Sequence, residues 1–379
     1  MHAPINYPDD NSYMQRCLEL AAKGLGYVAP NPVVGAVLVY ENRILAEGWH
    51  QHYGEAHAEV NCLASVKPED QGYIRHATLY VSLEPCAHHG KTPPCADLII
   101  RHKIPRVVIG CKDSFAQVAG KGIEKLQKAG IEVRITGPWT KDCTEINRRF
   151  FTFHTQRRPF ITLKWARTAD HFIAPLQQAD NTERLKISGN TTDILVHQWR
   201  SEEAAILVGK NTALKDDPAL TNRLYFGPSP IKMAFDPALE IPATARIFKS
   251  TGTVILFNFI RSETLYKQSQ SVHTDGKNTE HHKNSQTVHY VQLDPDLPVP
   301  SQIAAYCYGQ NIQSILVEGG LKLLQDFIDL GFWDECRVIT NTQLKIGAGL
   351  DEPVLGKKEL RGQIQLGQDK ISYFAPDFA

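Results

Sequence analysis

Two cysteines and one histidine in the first third of the chain are the residues best suited to chemistry. His57 stands in a His-Ala-Glu triplet, and Cys86 and Cys95 lie in the stretch that ends at position 95. Two thiolates and one imidazole can occupy three corners of a zinc tetrahedron and leave the fourth corner for water. The sequence therefore predicts a catalytic zinc site whose ligands are His57, Cys86 and Cys95.

A carboxylate follows the predicted histidine ligand by two residues. In the middle of a helix Glu59 and His57 would point about 200° apart, so they can border one cavity only if the helix begins at His57. H-x-E followed by P-C and a second cysteine is the pattern of zinc nucleobase deaminases, in which the glutamate carries protons and is not a ligand. We therefore predict hydrolytic deamination, in which zinc lowers the pKa of a bound water to about 7. Glu59 would pass the water proton to the ring nitrogen and to the leaving ammonia.

A structural zinc site is the alternative interpretation of these ligands. Such a site normally has four protein ligands, and the further candidates, His88 and His89, lie in the same loop. A structural zinc has no use for a nearby proton carrier, so Glu59 favours catalysis. Eight residues separate the two cysteines, where deaminases acting on polynucleotides usually have two. Within this longer loop Lys91 and Thr92 are suited to bind a phosphate; the alternative for Lys91 is an ordinary surface lysine.

The composition of the chain favours a small substrate. Its 379 residues include 41 Lys and Arg and 41 Asp and Glu, so no overall basic field exists to hold a nucleic acid. The chain lacks an apolar run of the roughly 20 residues that a spanning helix needs, and its start does not read as a secretory signal. Its eight cysteines are too scattered for a disulfide framework. We expect a cytoplasmic enzyme with no nucleic-acid or membrane partner; the alternative from another class is a polynucleotide-editing or nucleic-acid-binding protein.

Helices and strands alternate around the predicted zinc site. This alternation predicts an α/β sandwich whose later strands are parallel, and Cys86 follows the carboxyl end of a strand, where such sheets bind ligands. Helices that begin near His57 and Cys95 would point their N-termini at the metal and help to hold the thiolates. The predicted elements are helices over 12–25, 57–66, 96–102 and 122–129, a hairpin of 33–40 and 44–49, and strands over 77–83, 106–110 and 131–135.

The length of the chain predicts two domains. A polar stretch over 136–158 is interpreted as their boundary, which gives a deaminase domain over 1–150 and a second domain over 158–379. The second part is again α/β, with strands predicted over 160–166, 204–208, 231–235, 253–257 and 314–317 and helices over 193–200 and 321–330. Glu318-Gly319-Gly320 falls at a strand-to-helix turn, where a pyrophosphate can approach the backbone, although tight turns use glycine routinely.

These motifs together resemble the bifunctional deaminase/reductase family of riboflavin biosynthesis. The resemblance rests on P-N-P-x-V-G at 30–35, E-G-W-H at 47–50, H-A-E at 57–59, E-P-C-x-H-H-G-K-T-P-P-C at 84–95 and V-A-G-K-G at 118–122, and it covers nearly the whole chain. It implies a cytidine-deaminase-like α/β/α domain followed by a dihydrofolate-reductase-like α/β domain. The implied substrate is a diaminopyrimidinone that carries ribose 5-phosphate. The residues implied to border it are Asn31, His50, His88, Lys91, Thr92 and Asp113.

The segment 209–223 resembles the reductase half of the same family. The resemblance implies that this half uses NADPH to reduce the ribosyl chain to ribityl, and it suggests a homo-oligomer paired through the reductase half. The implied NADPH contacts are Ala166, Thr212, Asp216, Gly319, Gly320, Leu321, Lys322, Leu323 and Leu324. The implied substrate contacts are Arg200, Leu220, Arg223 and Glu318, of which the two arginines are chemically suited to hold a phosphate.

The chain also departs from the family pattern. Phe115 stands where some members have Asn. His171 replaces a glycine that can adopt φ > 0 in the S-L-D-G pattern, and Lys186 replaces a Trp that would pack on the cofactor. These departures leave a second hypothesis, a monofunctional deaminase whose reductase domain is degraded and structural. The polar segment 267–287 is interpreted as a solvated insertion without function, although its histidines also fit a metal tract.

Overall fold

The computed structural model describes residues 10–87, 93–114, 119–176, 185–260 and 286–377. The chain separates into two compact units, Met1–Arg158 and Pro159–Ala379. Among the described residues, no helix is both long and apolar enough to cross a membrane. Most of the polar segment 267–287 lies outside these ranges, and its last two residues begin a strand.

The first unit is built on a five-stranded sheet. Its order is β2-β1-β3-β4-β5, in which β1 pairs antiparallel with β2 and β3, whereas β3, β4 and β5 are parallel. The predicted hairpin and the predicted parallel later strands are therefore confirmed. The elements are α1 (Asp10–Ala22), β1 (Gly35–Tyr40), β2 (Arg43–Trp49), α2 (Ala58–Ala64), a 3-10 segment (Pro68–His76), β3 (Thr78–Leu83), α3 (Cys95–Arg101), β4 (Arg106–Cys111), α4 (Lys121–Lys128), β5 (Glu132–Ile135), α5 (Thr140–Ile146) and α6 (Arg148–Gln156).

Helices cover both faces of this sheet because successive strand residues point to opposite sides. Leu79 and Val81 of β3 face a core that also contains side chains of α2, α3 and α4. Tyr80, between them, faces the other core, which α1, α5 and α6 complete. The first unit is therefore an α/β/α sandwich, and the helices that begin at the predicted zinc ligands share one layer.

The stretch over 136–158 is not a polar linker. It forms α5 and α6, and Phe150, Phe151 and Phe153 of α6 are buried. The stretch looks polar because most of its other residues are polar and at least partly exposed, so only a few buried positions mark the helices. This correction places both helices inside the first unit.

The second unit contains a nine-stranded sheet of order β11-β10-β9-β8-β12-β6-β13-β16-β15 and a separate pair, β14-β7. The seven strands from β11 to β13 in this order are parallel to their neighbours, and β16 and β15 close the sheet antiparallel. The elements are β6 (Phe160–Arg167), β7 (Phe172–Pro175), α7 (Asn190–Glu202), β8 (Ala205–Gly209), α8 (Lys210–Asp216), β9 (Ile231–Phe235), a 3-10 turn (Arg246–Phe248), β10 (Gly252–Asn258), β11 (Gln286–Gln292), α9 (Val299–Gly309), β12 (Ser314–Val317), α10 (Leu321–Asp329), β13 (Glu335–Asn341), β14 (Gly349–Asp351), β15 (Lys358–Leu366) and β16 (Asp369–Pro376).

Helices also cover both faces of the large sheet. α9 and α10 pack on one face, around Phe257 and Leu207. On the other face α7 packs against Leu316 and Ile339, and Ala213 of α8 packs against Val208. Because the seven parallel strands run in one direction, their carboxyl ends meet at one edge, where α/β sheets bind their ligands.

Candidate active sites

The three predicted zinc ligands converge in the first unit. His57 is the residue that immediately precedes α2, Cys95 is the first residue of α3, and Cys86 follows the carboxyl end of β3. The His57 Nδ1 atom lies 3.7 Å from Cys86 Sγ and 3.4 Å from Cys95 Sγ, and the three donor atoms all lie within 4.8 Å of one another. Tetrahedral bonds of about 2.0–2.3 Å place ligand atoms roughly 3.5–3.8 Å apart. The donor set therefore fits zinc.

The three predicted ligands influence one another's pKa values. Hydrogen bonding with Cys95 lowers the pKa of the Cys86 thiol, and the thiolate in turn raises the pKa of Cys95 and of His57. The Cys95 backbone N–H, at the start of α3, also donates to Cys86 Sγ at 3.3 Å. Metal binding at this site must displace the remaining protons, as expected for a thiolate and imidazole site.

Glu59 lies in the first turn of α2, beside the metal ligands. Its side chain is buried, and its carboxyl group interacts electrostatically with Cys86 and His57. Burial and the nearby Cys86 thiolate raise the pKa of this carboxyl group. A buried carboxyl group with a raised pKa is suited to accept and return a proton close to neutral pH. The helix start therefore brings Glu59 and His57 to one cavity.

Asn31 and His50 form a hydrogen-bonded pair next to the same site. The ring of His50 lies edge-on to that of His57, with centroids 5.3 Å apart. His50 Nδ1 is 3.0 Å from Ala56 O, and its Nε2 is 3.1 Å from Asn31 Nδ2. These contacts fit a neutral ring that donates to the carbonyl and accepts from the amide, and burial lowers the pKa of His50 accordingly. The structure thus places both residues beside the zinc ligands.

Two buried side chains that were not predicted from the sequence, Asn147 and Glu84, form hydrogen bonds with backbone groups of the first unit. The Asn147 amide donates to Val33 O at 2.9 Å and accepts from Val33 N at 2.8 Å, which fixes the loop that carries Asn31. Glu84 accepts hydrogen bonds from four backbone N–H groups, including that of Asp113. Asp113 is buried. Of the remaining predicted contacts, His88, Lys91 and Thr92 lie outside the described residues, as does the departure at Phe115.

In the second unit, charged side chains gather at the carboxyl end of β12. Arg200 donates from Nε and Nη2 to the two carboxylate oxygens of Glu318, at 2.8 and 2.6 Å. Lys164 Nζ lies 3.7 Å from the same carboxylate. Burial would raise the pKa of Glu318, but the charges of Arg200 and Lys164 lower it to about 2. Lys164 belongs to no recognisable sequence motif, so it was not predicted as a site residue, although it lies in a predicted strand.

The predicted substrate contacts Leu220 and Arg223 lie in a loop that this cluster supports. Arg200 Nη1 donates to Thr221 O at 3.3 Å, and the Arg223 backbone N–H donates to His197 Nδ1 at 3.0 Å. Leu220 is buried and adopts φ +53°, a backbone conformation that residues other than glycine rarely take. His197, also absent from the sequence-based set, thus holds the backbone of an exposed arginine.

The predicted cofactor contacts lie at the carboxyl edge of the large sheet. Ala166 is near the end of β6, Thr212 and Asp216 lie in α8 after β8, and the glycine pair Gly319 and Gly320 follows β12. Both glycines have φ > 0, at +129° and +84°. A Cβ at Gly319 would lie 3.2 Å from Thr212 Oγ1, and one at Gly320 would lie 3.3 Å from Gly209 Cα. The glycine turn thus packs closely against Gly209 and Thr212 and leads directly into α10, whose N-terminus suits a pyrophosphate.

The rest of the predicted cofactor stretch belongs to α10. Leu323 and Leu324 are buried in the hydrophobic core, whereas Lys322 is exposed and Leu321 is partly exposed. Any cofactor contact of the two buried leucines would therefore involve their backbone atoms.

The two departures from the family pattern do not disrupt the local structure. His171 adopts φ +70°, so it keeps the backbone conformation of the glycine that it replaces. Its Nδ1 lies 2.9 Å from Glu352 Oε1, and Glu352 also accepts from Trp165 Nε1 at 3.1 Å. Lys186 forms an ion pair of 2.8 Å with Asp193 in the first turn of α7.

Both units match family models. Residues 8–111 match the cytidine and deoxycytidylate deaminase zinc-binding region, and residues 159–378 match the RibD C-terminal domain. The riboflavin biosynthesis protein RibD of Aquifex aeolicus is 36% identical over 373 residues, which are 97% of this chain and 96% of that relative. The chain belongs to the RibD family.

Solved structures of the RibD family agree with both halves of the fold. The deaminase/reductase of Thermotoga maritima is 35% identical and superposes with a TM-score of 0.81, over 97% of this chain and 98% of that one. Acinetobacter baumannii RibD, at 29% identity, gives a TM-score of 0.82 over 97% and 99%. The predicted fold class is therefore confirmed. So is the bifunctional interpretation, a zinc-dependent deaminase joined to an NADPH-dependent reductase, in preference to the monofunctional alternative.

Proposed function

We propose that this RibD protein deaminates 2,5-diamino-6-(5-phosphoribosylamino)pyrimidin-4-one and then reduces the ribosyl chain of the product to ribityl. The name of the Thermotoga relative states the corresponding pair of activities for that protein. The observation that carries the proposal is the set of three zinc-ligand atoms within 4.8 Å, with the buried Glu59 in the first turn of the helix that His57 precedes.

In the deaminase site the chain supplies the zinc ligands, a proton carrier and polar side chains that bind the substrate. Zinc held by His57, Cys86 and Cys95 activates the attacking water when bound. Glu59 takes one proton from that water and gives it to the ring nitrogen as the oxygen adds to the ring carbon. It then takes the second proton from the added hydroxyl group and gives it to the amino group, which leaves as ammonia while the carbonyl forms. Its raised pKa supports both transfers, because the group must be a base first and an acid afterwards.

Substrate binding at this site is assigned to polar groups around the zinc ligands. Asn31 and His50 hold each other in place, so the free edge of the Asn31 amide can face the pyrimidine without first losing side-chain freedom. Asp113 is assigned as a further substrate contact by family resemblance. His88, Lys91 and Thr92 complete the proposed set by family resemblance, with Lys91 and Thr92 as the phosphate contacts.

In the reductase site the chain orients the ribose carbonyl and protonates it. NADPH bound over Gly319, Gly320, Thr212, Asp216 and Ala166 supplies the hydride when present. The carbonyl oxygen must gain a proton as hydride arrives, and the Lys164 ammonium beside Glu318 is placed to donate it. Arg200 keeps Glu318 in one orientation, and the exposed Arg223 is suited to the substrate phosphate.

The compartment and assembly are proposed on the same basis. Eight free cysteines, most of them buried, fit the reducing conditions of the cytoplasm. We propose that the chain acts as a homo-oligomer paired through the reductase half and without a nucleic-acid partner.

An assay of the purified chain tests the proposal. The diaminopyrimidinone phosphate is supplied with NADPH, and ammonia release and NADPH oxidation are followed separately. We expect equimolar amounts of both, with NADPH oxidation lagging behind ammonia. No ammonia from zinc-loaded protein would refute the assigned substrate.

A further inference from the structure

Glu84 is a buried carboxylate that neither half of the proposed mechanism uses. It directly follows β3, two residues before the zinc ligand Cys86, and only 4% of it is exposed. One of its oxygens, Oε2, accepts from the backbone N–H groups of Asp113 and Gly120, at 3.2 and 3.0 Å. The other, Oε1, accepts from Gly122 at 3.0 Å and from Ile123 at 3.4 Å. The Glu84 side chain thus forms hydrogen bonds with both ends of the connection between β4 and α4.

Three of these four donors belong to the start of α4. The first N–H groups of a helix have no acceptor within the helix, and a negative charge is favoured there by the helix dipole. The backbone of this turn also lies against the Glu84-Pro85-Cys86 segment, because a Cβ at Gly122 would lie only 1.9 Å from Pro85 O. Glu84 therefore joins α4 to the segment that carries a zinc ligand.

The arrangement requires a carboxylate and not merely a side chain of that shape. Each oxygen accepts two N–H donors, so both terminal atoms must be acceptors. In glutamine one terminal atom is an NH2 group, which would face two donors whichever way the amide is turned. An unsatisfied buried donor is costly. Glu84→Gln should therefore displace one side of the connection while leaving the volume of the site unchanged.

We propose that Glu84 is a positioning residue of the deaminase: it holds Asp113 and the start of α4 in register with the zinc site, and so acts on substrate binding through Asp113. The inference rests on the substrate contact proposed for Asp113. Aspartate at position 84 keeps the charge at a shorter reach and should restore part of what glutamine loses.

The test compares Glu84→Gln, Glu84→Asp, Asp113→Asn and the double variant Glu84→Gln/Asp113→Asn. Glu124→Gln is the matched control, because Glu124 lies in α4 but is exposed and pairs with Lys128. Zinc content, KM and kcat for ammonia release are measured, and NADPH oxidation with the deaminated product reports on the other unit of the same protein.

We expect Glu84→Gln to raise KM about tenfold with kcat within about threefold of wild type and with one zinc per chain. Glu84→Asp should have a smaller effect, and the double variant should be no worse than Asp113→Asn, because both changes remove the same contact. Normal KM in Glu84→Gln beside a raised KM in Asp113→Asn would overturn the positioning role alone. Multiplied effects, loss of zinc, or an aspartate variant as impaired as the glutamine variant would overturn it too. Normal KM in Asp113→Asn would instead remove the proposed substrate contact on which the inference rests.

Discussion

Lys164 is the residue on which the proposed reductase chemistry depends most directly. Its ammonium group lies beside Glu318, whose carboxylate is already held by both donors of Arg200. Replacing Lys164 by Met removes the proposed proton donor but leaves that paired contact intact. Since general acid catalysis typically contributes about 10²–10⁴-fold, kcat for NADPH oxidation should fall within that range. NADPH affinity, measured by fluorescence titration, should stay close to wild type.

Arg361→Met is the control for this change. Arg361 is an exposed basic residue of the same unit that pairs with Glu359 at the surface. Its replacement should leave NADPH oxidation unchanged, since surface ion pairs contribute little. Equal losses in both variants would argue against a specific role for Lys164.

His197 gives the reductase half a predictable pH dependence. Burial, followed by the charges of Arg200 and Arg223, lowers the pKa of His197 to about 4, whereas an unfolded histidine has a pKa of about 6.5. Between these values the unfolded state binds more protons than the folded state, so stability increases with pH. The free energy of unfolding of this half should therefore fall as the pH drops from about 6.5 toward 4.

Urea unfolding at several pH values checks this dependence. In His197→Gln, whose amide oxygen can accept from Arg223 N, the slope over this pH range should be shallower than in wild type. A slope as steep as that of wild type would assign the effect to other groups.

The residues that could be found from sequence are those that act as side chains within a short motif. His57, Glu59, Cys86 and Cys95 have spacings that zinc chemistry recognises. Glu84 and His197 act instead on backbone N–H groups that lie 26 to 39 positions away. Any residue except proline has a backbone N–H group, so the sequence does not show which residue donates to Glu84 or His197.

At the scale of elements, the glycine turn before α10 is the feature that most limits substitution. Gly320→Ala adds a Cβ about 3.3 Å from Gly209 Cα and forces alanine into φ +84°. We expect weaker NADPH binding, by about tenfold or more, with normal ammonia release. Fluorescence titration of NADPH measures the change.

Gly367→Ala separates backbone strain from crowding. Gly367 also has φ > 0, at +59°, but no heavy atom lies within 4 Å of its added Cβ. Both substitutions should destabilise the protein by about 1–3 kcal/mol through backbone strain, yet only Gly320→Ala should weaken NADPH binding. Comparable weakening in both variants would mean that the turn does not contact the cofactor.

The elements that could be predicted from sequence are those whose buried residues form a clear apolar run or a regular apolar spacing. β3, β4 and β12 are short apolar runs and were predicted close to their observed limits. β15 was missed, because it lies at the edge of the sheet and is exposed along most of its length, so no alternation of apolar residues marks it. α5 and α6 were missed because most of their surface is polar.

At the scale of the molecule, the proposed sites for the two activities consist of separate sets of residues. All the zinc ligands lie in the first compact unit, and all the proposed NADPH contacts lie in the second. Removing zinc with a chelator should therefore abolish ammonia release and leave NADPH oxidation with the deaminated product unchanged. Added zinc should restore ammonia release, and loss of both activities on chelation would contradict the separation.

The most direct test of the account is the Glu59→Gln variant assayed with each substrate in turn. Glu55→Gln is its control, since Glu55 is exposed and forms an ion pair with His52. With the diaminopyrimidinone, Glu59→Gln should bind zinc but release no ammonia, and NADPH should remain unoxidised because the reductase receives no substrate. With 5-amino-6-(5-phosphoribosylamino)uracil, the same variant should oxidise NADPH at the wild-type rate. Ammonia release by Glu59→Gln at the wild-type rate would contradict the account, as would a wild-type protein that releases ammonia but never oxidises NADPH.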